Sequence, residues 1–258
     1  MAVRVQDAEG IRTITLDRPD KRNALTGAMY GDLRDAVRGA DTEPAVRALL
    51  IRGAGADFCA GNDLEDFGPE AAARLERGED LPVMALIDTV LDLEKPLVAA
   101  VRGHAVGIGT TLLLHCDVVA ASETARFSLP FARLGLAPEF ASSYLLPLLA
   151  GPVRARHALL LGTPFDREQA REMGMVSLAC ADADLDNEAV TAAASLAALP
   201  PGAVRATKRL VNDHHRQAVR AAVATEAEAF REGLTSAEHQ EAVAAFFHKR
   251  APDFSRFK

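Results

Sequence analysis

The stretch VRGHAVGIGTTLLLHCD, residues 101–117, decides the fold class. It follows the apolar run LVAA at 97–100, so a buried strand runs into Gly103, and an apolar helix opens on Gly107-Ile108-Gly109. A strand that turns on glycines into a helix is the joint of an α/β fold. The GxG lacks a third glycine, and no acidic residue follows a second strand at the distance a dinucleotide site needs. His104 and His115 sit inside the stretch. Each reads either as a base or as a turn or core histidine.

Upstream, VRVQDAEGIRTITLDRP (3–19) gives two short strands about Glu9-Gly10. Leu25, Met29, Leu33 and Val37 recur at helical spacing, and AVRALLIRGAG (45–55) is a buried strand ending in glycines. The opening unit is therefore ββα rather than a simple βαβ repeat. Acidic, Gly/Pro-bounded residues 68–82 predict a mobile loop or short helix. A helix over 83–95 stops at Pro96, and VVAAS and ARFSL are further short strands. Beyond Ala181 the pattern is helical: 184–198, a Pro200-Pro201 break, 202–212, about 215–232, and 235–249. Thr235 and Glu238 have capping-box spacing for the last helix.

Totals narrow the function classes. The 258 residues are 49% hydrophobic and 25% charged, ordinary for a globular chain. The net charge of −7 argues against nucleic-acid binding. No apolar run is long enough to span a bilayer, the N-terminus lacks a signal-peptide core, and RFK is not an SKL-type address. Three cysteines without CxxC spacing argue against a disulfide framework and against zinc. A reducing, cytoplasmic compartment is expected.

Two more features bear on chemistry. In GAGADFCAGNDLEDF (53–67) a strand ends on small residues and Asn62-Asp63-Leu64 enters a new element. Backbone N–H groups at such a turn can bind an anion or a polarised carbonyl, although a plain strand-to-helix turn reads the same way. In LGLAPEFASSY (134–144) one carboxylate, Glu139, lies among apolar and small residues, with no Lys or Arg between Arg133 and Arg154. It is either a solvated surface acid or a desolvated one. Two donor-bearing turns and a carboxylate in an apolar bed are the parts needed to stabilise an enolate and move a proton.

FCAGNDL (58–64), residues 101–136 and EAVAAFFHKRAPDF (241–254) resemble the enoyl-CoA hydratase/isomerase (crotonase) superfamily over nearly the whole chain. GNDL and SLPFARLGLAPEFASSYLLP (128–147) look most like its Δ3,Δ2-enoyl-CoA isomerases of the peroxisomal type. The resemblance implies a spiral of ββα units, with residues 1–180 as the core that binds CoA and residues 181–258 as a helical oligomerisation region. Hydratases of the family use two glutamates. Anchored on Cys116-Asp117, their positions fall on Thr111 and Phe131, neither of which is a carboxylate. The similar isomerases place one glutamate further on, where Glu139 falls.

By the same resemblance the backbone N–H groups of Asn62 and Ile108 form an oxyanion hole, and Glu139 is the single catalytic base. Phe131, Leu136 and Phe140 would form the acyl pocket and raise the basicity of Glu139. The resemblance puts CoA against Ala24 and the segment from Ala60 through Asp63 to Leu64, with Lys21, Arg22 and Lys249 near its phosphates. Those cations equally suit a solvated face. It implies no metal and no cofactor apart from the CoA of the substrate, and a homotrimer or dimer of trimers, consistent with the apolar Phe246 and Phe247 of the tail. The rival readings are a hydratase, another acyl-CoA reaction on this scaffold, and a non-catalytic trimeric or RNA-binding module.

Overall fold

The computed structural model describes residues 2–65, 74, 77 and 79–257. Most of the expected loop or short helix at 68–82 lies outside them. Strands β1 (Val3–Ala8) and β2 (Ile11–Leu16) form an antiparallel hairpin, with Glu9 and Gly10 both left-handed at the turn. Strands β3 (Ala48–Gly53), β4 (Leu97–Val101), β6 (Val118–Ser122) and β9 (Leu178–Cys180) continue the sheet in parallel, in the order β1-β2-β3-β4-β6-β9. A second sheet is built from β5 (His104–Val106), β7 (Arg126–Ser128) and β8 (Phe165–Asp166).

The parallel strands are apolar along most of their length because both faces are covered, with Arg52 and Ser122 near the ends of β3 and β6. Leu49, Ile51, Leu97, Ala99, Val101, Val119 and Ala121 join the main core. Their alternates Ala48, Leu50, Val98, Ala100 and Ala120 form a second core. Helix α1 (Gly27–Thr42) joins the main core through Met29, Tyr30, Leu33 and Val37 and packs on α2 (Pro82–Asp92). Its C-terminus is closed by the buried ammonium of Lys95, which donates to the carbonyls of Ala40 (2.6 Å) and Glu43 (2.7 Å).

The expected helix after Gly107 is a single turn, α3 (Ile108–Thr111), that tightens to a 3-10 turn over Leu112–His115. Helices α4 (Ser142–Ala150), α5 (Pro152–Leu161) and α6 (Arg167–Glu172) follow. Helix α7 (Leu185–Ala198) lays Leu185, Ala189, Ala193 and Ala197 on the second face of the large sheet, so the helical region begins by completing the body.

Two local expectations are corrected. The helices expected at 202–212 and about 215–232 are one, α8 (Pro201–Leu234). The polar stretch between them holds no Gly or Pro, and Asp213 accepts from Arg216 one turn on (2.9 Å). The last helix, α9 (Ala237–Phe247), is capped by Ser236, whose hydroxyl accepts from the His239 amide (3.0 Å); Thr235 instead donates to the Glu232 carbonyl (3.1 Å).

Buried Asn23 fastens the segment after β2 to the turn after β3. Its side-chain amide donates to the carbonyls of Ala54 (2.9 Å) and Asp57 (2.7 Å), and its oxygen accepts from the Arg18 amide (2.9 Å). Its backbone is left-handed at φ 58, which Asn tolerates better than most residues. Asn23→Ala strands these groups and loses that tolerance. Urea denaturation should show a loss of about 2–4 kcal/mol.

Candidate active site

Two turns meet beside β5. The Cys59 amide donates to the His104 carbonyl (2.9 Å) and the Val106 amide to the Cys59 carbonyl (2.9 Å). The approach is close enough to require glycine on both sides. A Cβ on Gly61, which is left-handed at φ 88, would lie 2.8 Å from the Val106 oxygen, and one on Gly109 would lie 2.7 Å from the Cys59 oxygen. Asn62 follows the first turn and Ile108 opens α3 after the second. Among the described residues neither backbone N–H has an acceptor. The side chain of Asn62 is committed, accepting from the Tyr30 hydroxyl.

Glu139 is buried. One carboxylate oxygen accepts from the hydroxyl of buried Thr111 at 2.7 Å. Thr111 ends the helical turn that Ile108 begins, so the free amide and the carboxylate belong to one rigid unit. Burial pushes the Glu139 carboxyl up to about 8; the Thr111 hydrogen bond opposes this, and the charge of Glu226 adds to it. The chain then passes through two left-handed residues, Phe140 and Ala141 (φ 57 at both), before α4.

Glu139 borders a small cleft whose described lining is Leu81, Val83, Met84 and Ile87 of the α2 region, Phe140, and Val223, Glu226, Ala227, Phe230 and Arg231 of α8. Of the residues expected to form the acyl pocket, only Phe140 is in this lining. Phe131 is buried and Leu136 half-buried in the turn that leads to Glu139, tied by the Leu136 amide to the Phe131 carbonyl (2.9 Å). Sequence reasoning missed Glu226 altogether.

Both histidines take their bland reading. His115 is stacked on Phe140 (4.0 Å between centroids), and its Nε2 donates to the Phe140 carbonyl (2.8 Å). Burial pushes it down to about 4, which keeps it neutral. His104 is exposed beside Asp57, its Nδ1 2.6 Å from that carboxylate.

The residues expected at CoA fall into two groups. The Ala60 amide donates to the Arg22 carbonyl, the Leu25 amide to the Gly61 carbonyl and the Asp63 amide to the Leu25 carbonyl, at 2.8–2.9 Å. This brings Lys21, Arg22 and Ala24 beside Ala60, Asp63 and Leu64. The Asp63 carboxylate is used internally, paired with Arg18 at 2.9 Å. Lys21 lies 3.5 Å from Glu65 and Arg22 3.9 Å from Asp57, both largely exposed. Lys249 stands apart, exposed and left-handed just beyond α9, with no bond to either segment among the described residues. No helix among the described residues is long and apolar enough to cross a membrane.

A family model described as enoyl-CoA hydratase/isomerase matches residues 6–256. The 1,2-epoxyphenylacetyl-CoA isomerase of Escherichia coli is 34% identical over 96% of this chain and 95% of its own. Enoyl-CoA delta isomerase 2 of Rattus norvegicus is 34% identical over 93% of this chain, which spans 62% of that longer protein. The crystal structure of an enoyl-CoA hydratase/isomerase from Pseudoalteromonas atlantica superposes with a TM-score of 0.92 at 38% identity, covering 98% of this chain and all of that one. The chain belongs to the enoyl-CoA hydratase/isomerase family, with the crotonase-type fold and the acyl-CoA chemistry of that family.

The buried acid sets a pH dependence of stability. The folded protein keeps the Glu139 proton up to about 8, whereas an unfolded chain releases it near 4.5. This contribution is complete below 4.5 and is lost as pH rises through 8. Glu139→Gln cannot ionise. Its melting temperature should exceed the parent's at pH 9 and approach it at pH 5.

Proposed function

We propose that the protein is a Δ3,Δ2-enoyl-CoA isomerase that uses Glu139 as its only acid-base group. The observation that carries this reading is the 2.7 Å bond from Thr111 to Glu139. Where the family's hydratases carry a glutamate, this chain has a hydroxyl that serves the carboxylate. By the family resemblance, Phe131 falls at the second hydratase position. Hydration needs one group to activate water and another to protonate the α carbon. Moving a double bond needs one group, because the proton removed is the proton returned. The rat relative, named as a delta isomerase, supports the same reading.

In the proposed reaction a 3-enoyl-CoA thioester lies with its carbonyl oxygen between the amides of Asn62 and Ile108. The Glu139 carboxylate takes a proton from C2, and the electron pair passes through the thioester to its oxygen. The two amides hold the dienolate. Glu139 returns the proton to C4, and the double bond moves from C3–C4 to C2–C3. Thr111 keeps the carboxylate in place, and burial shields it from water. No separate cofactor takes part.

The second reading comes from the Escherichia coli relative, whose name gives an epoxidised phenylacetyl-CoA as substrate. A panel of 3-enoyl and epoxyphenylacetyl thioesters distinguishes the two. We further propose a homotrimer or dimer of trimers, supported by the exposed Phe246 (60%) and Phe247 (51%). A cytoplasmic location is supported by three unpaired cysteines, Cys59, Cys116 and Cys180.

Glu139→Gln should lower kcat for 3-enoyl-CoA by about 10²–10⁴-fold. Retention of turnover within a few-fold contradicts the mechanism. The free enzyme must bear an ionised base, so kcat/KM should rise with pH through a midpoint near 8. Thr111→Val removes a hydrogen bond that favours the carboxylate, and should move that midpoint to higher pH.

A further inference from the structure

The helical tail contributes a carboxylate that the proposed mechanism does not use. Glu226 lies on α8, and its side chain is buried beside Glu139 in the same cleft. One of its oxygens accepts from the Ala141 amide (2.6 Å) and the other from the Ser143 amide (2.8 Å). These amides flank the entry to α4, where N–H groups lack helical partners. The same bonds clamp the turn directly after Glu139. Phe140 and Ala141 are consecutive non-glycine residues in the left-handed region, each costing about 1–2 kcal/mol without compensation. The Ser142 amide closes the turn onto the Glu139 carbonyl (3.1 Å).

We propose that Glu226 is a positioning residue for Glu139: by bonding the amides of Ala141 and Ser143 it holds the left-handed turn that sets the Glu139 carboxylate on Thr111. A carboxylate with one oxygen on each of two divergent amides fixes that turn in a way a single acceptor cannot. Its negative charge also lies in the cleft that Glu139 borders. Burial pushes the Glu226 carboxyl above its ordinary range and the Ser143 and Ala141 donors oppose this, while its charge in turn raises the Glu139 carboxyl. Glu139 then loses its proton beside an existing negative charge, which makes it a stronger base.

Other titratable groups around the pair leave this relation undisturbed. The Cys59 thiol is pushed up to about 12 and His115 down to about 4, so both are neutral where Glu139 titrates. Arg231, in the lining on α8, is paired with Asp80 (3.1 Å). The remaining described lining from the α2 region is apolar.

The effect on turnover rests on the isomerase reading; the effect on the Glu139 carboxyl does not. The test is a carboxyl NMR titration of the full-length protein carrying ¹³C-labelled glutamate, with the Glu139 signal assigned by its loss in Glu139→Gln, alongside turnover of 3-enoyl-CoA. Glu226→Gln removes the charge and one of the two acceptors. It should lower the Glu139 midpoint while reducing kcat about 10–100-fold, with KM changed less than kcat. A purely structural side chain would lower stability without moving the midpoint. Glu226→Asp keeps the charge but shortens the reach, so it should reduce kcat while leaving the midpoint nearer the parent's, and it serves should Glu226→Gln not fold. A folded Glu226→Gln whose midpoint and kcat both match the parent overturns the proposal. A parent that does not turn over 3-enoyl-CoA, with a midpoint that still falls in Glu226→Gln, rejects the isomerase reading and sustains the positioning role.

Discussion

The hydrogen bond from Thr111 to Glu139, made between two buried side chains, is the constraint on which the site depends. A lone carboxylate out of water is costly to ionise, and this one has no cation partner among the described residues. One hydroxyl lowers the cost of ionisation without abolishing it. The outcome is an acid pushed up to about 8, able both to accept and to return a proton near neutral pH. A buried ion pair would have fixed the charged form and weakened the base.

The architecture makes this arrangement rigid. Thr111 and Ile108 belong to one helical turn, which the Gly109–Cys59 and Gly61–Val106 contacts press against the neighbouring turn. Asn23 ties the segment before α1 to the turn that follows β3. On the other side, His239 of α9 contacts the Leu134 carbonyl through Nδ1 (2.7 Å), and Gly135 approaches the His239 backbone too closely for a side chain. The tail therefore supports the chain on both sides of Glu139: α9 before it and α8 after it.

Much of this was legible in the sequence because the signals are local. Alternation and glycines give β1 to β4, and the spacing of Met29, Leu33 and Val37 gives α1. The absence of Lys and Arg around Glu139 foreshadows its burial. What escaped depends on distant contacts. Glu226 stands 85 residues from Ala141, whose amide it accepts, and as one acid on a polar helix it has no local signature. The cleft wall drawn from α2 and α8 was equally hidden, because it is assembled from segments far apart in the chain. The junction at 212–215 read as a break because polar residues resemble a turn when tertiary packing is ignored.

A single shielded base makes a demand that two separate groups do not. Conversion of 3-enoyl-CoA in D₂O, followed by mass spectrometry of the product after brief reaction, tests it directly. Transfer by Glu139 alone should carry a substantial share of the original C2 hydrogen to C4, leaving deuterium there below one atom per turnover. Complete deuteration at C4 from the first turnovers, with a pH profile that requires two ionisations, would contradict the account.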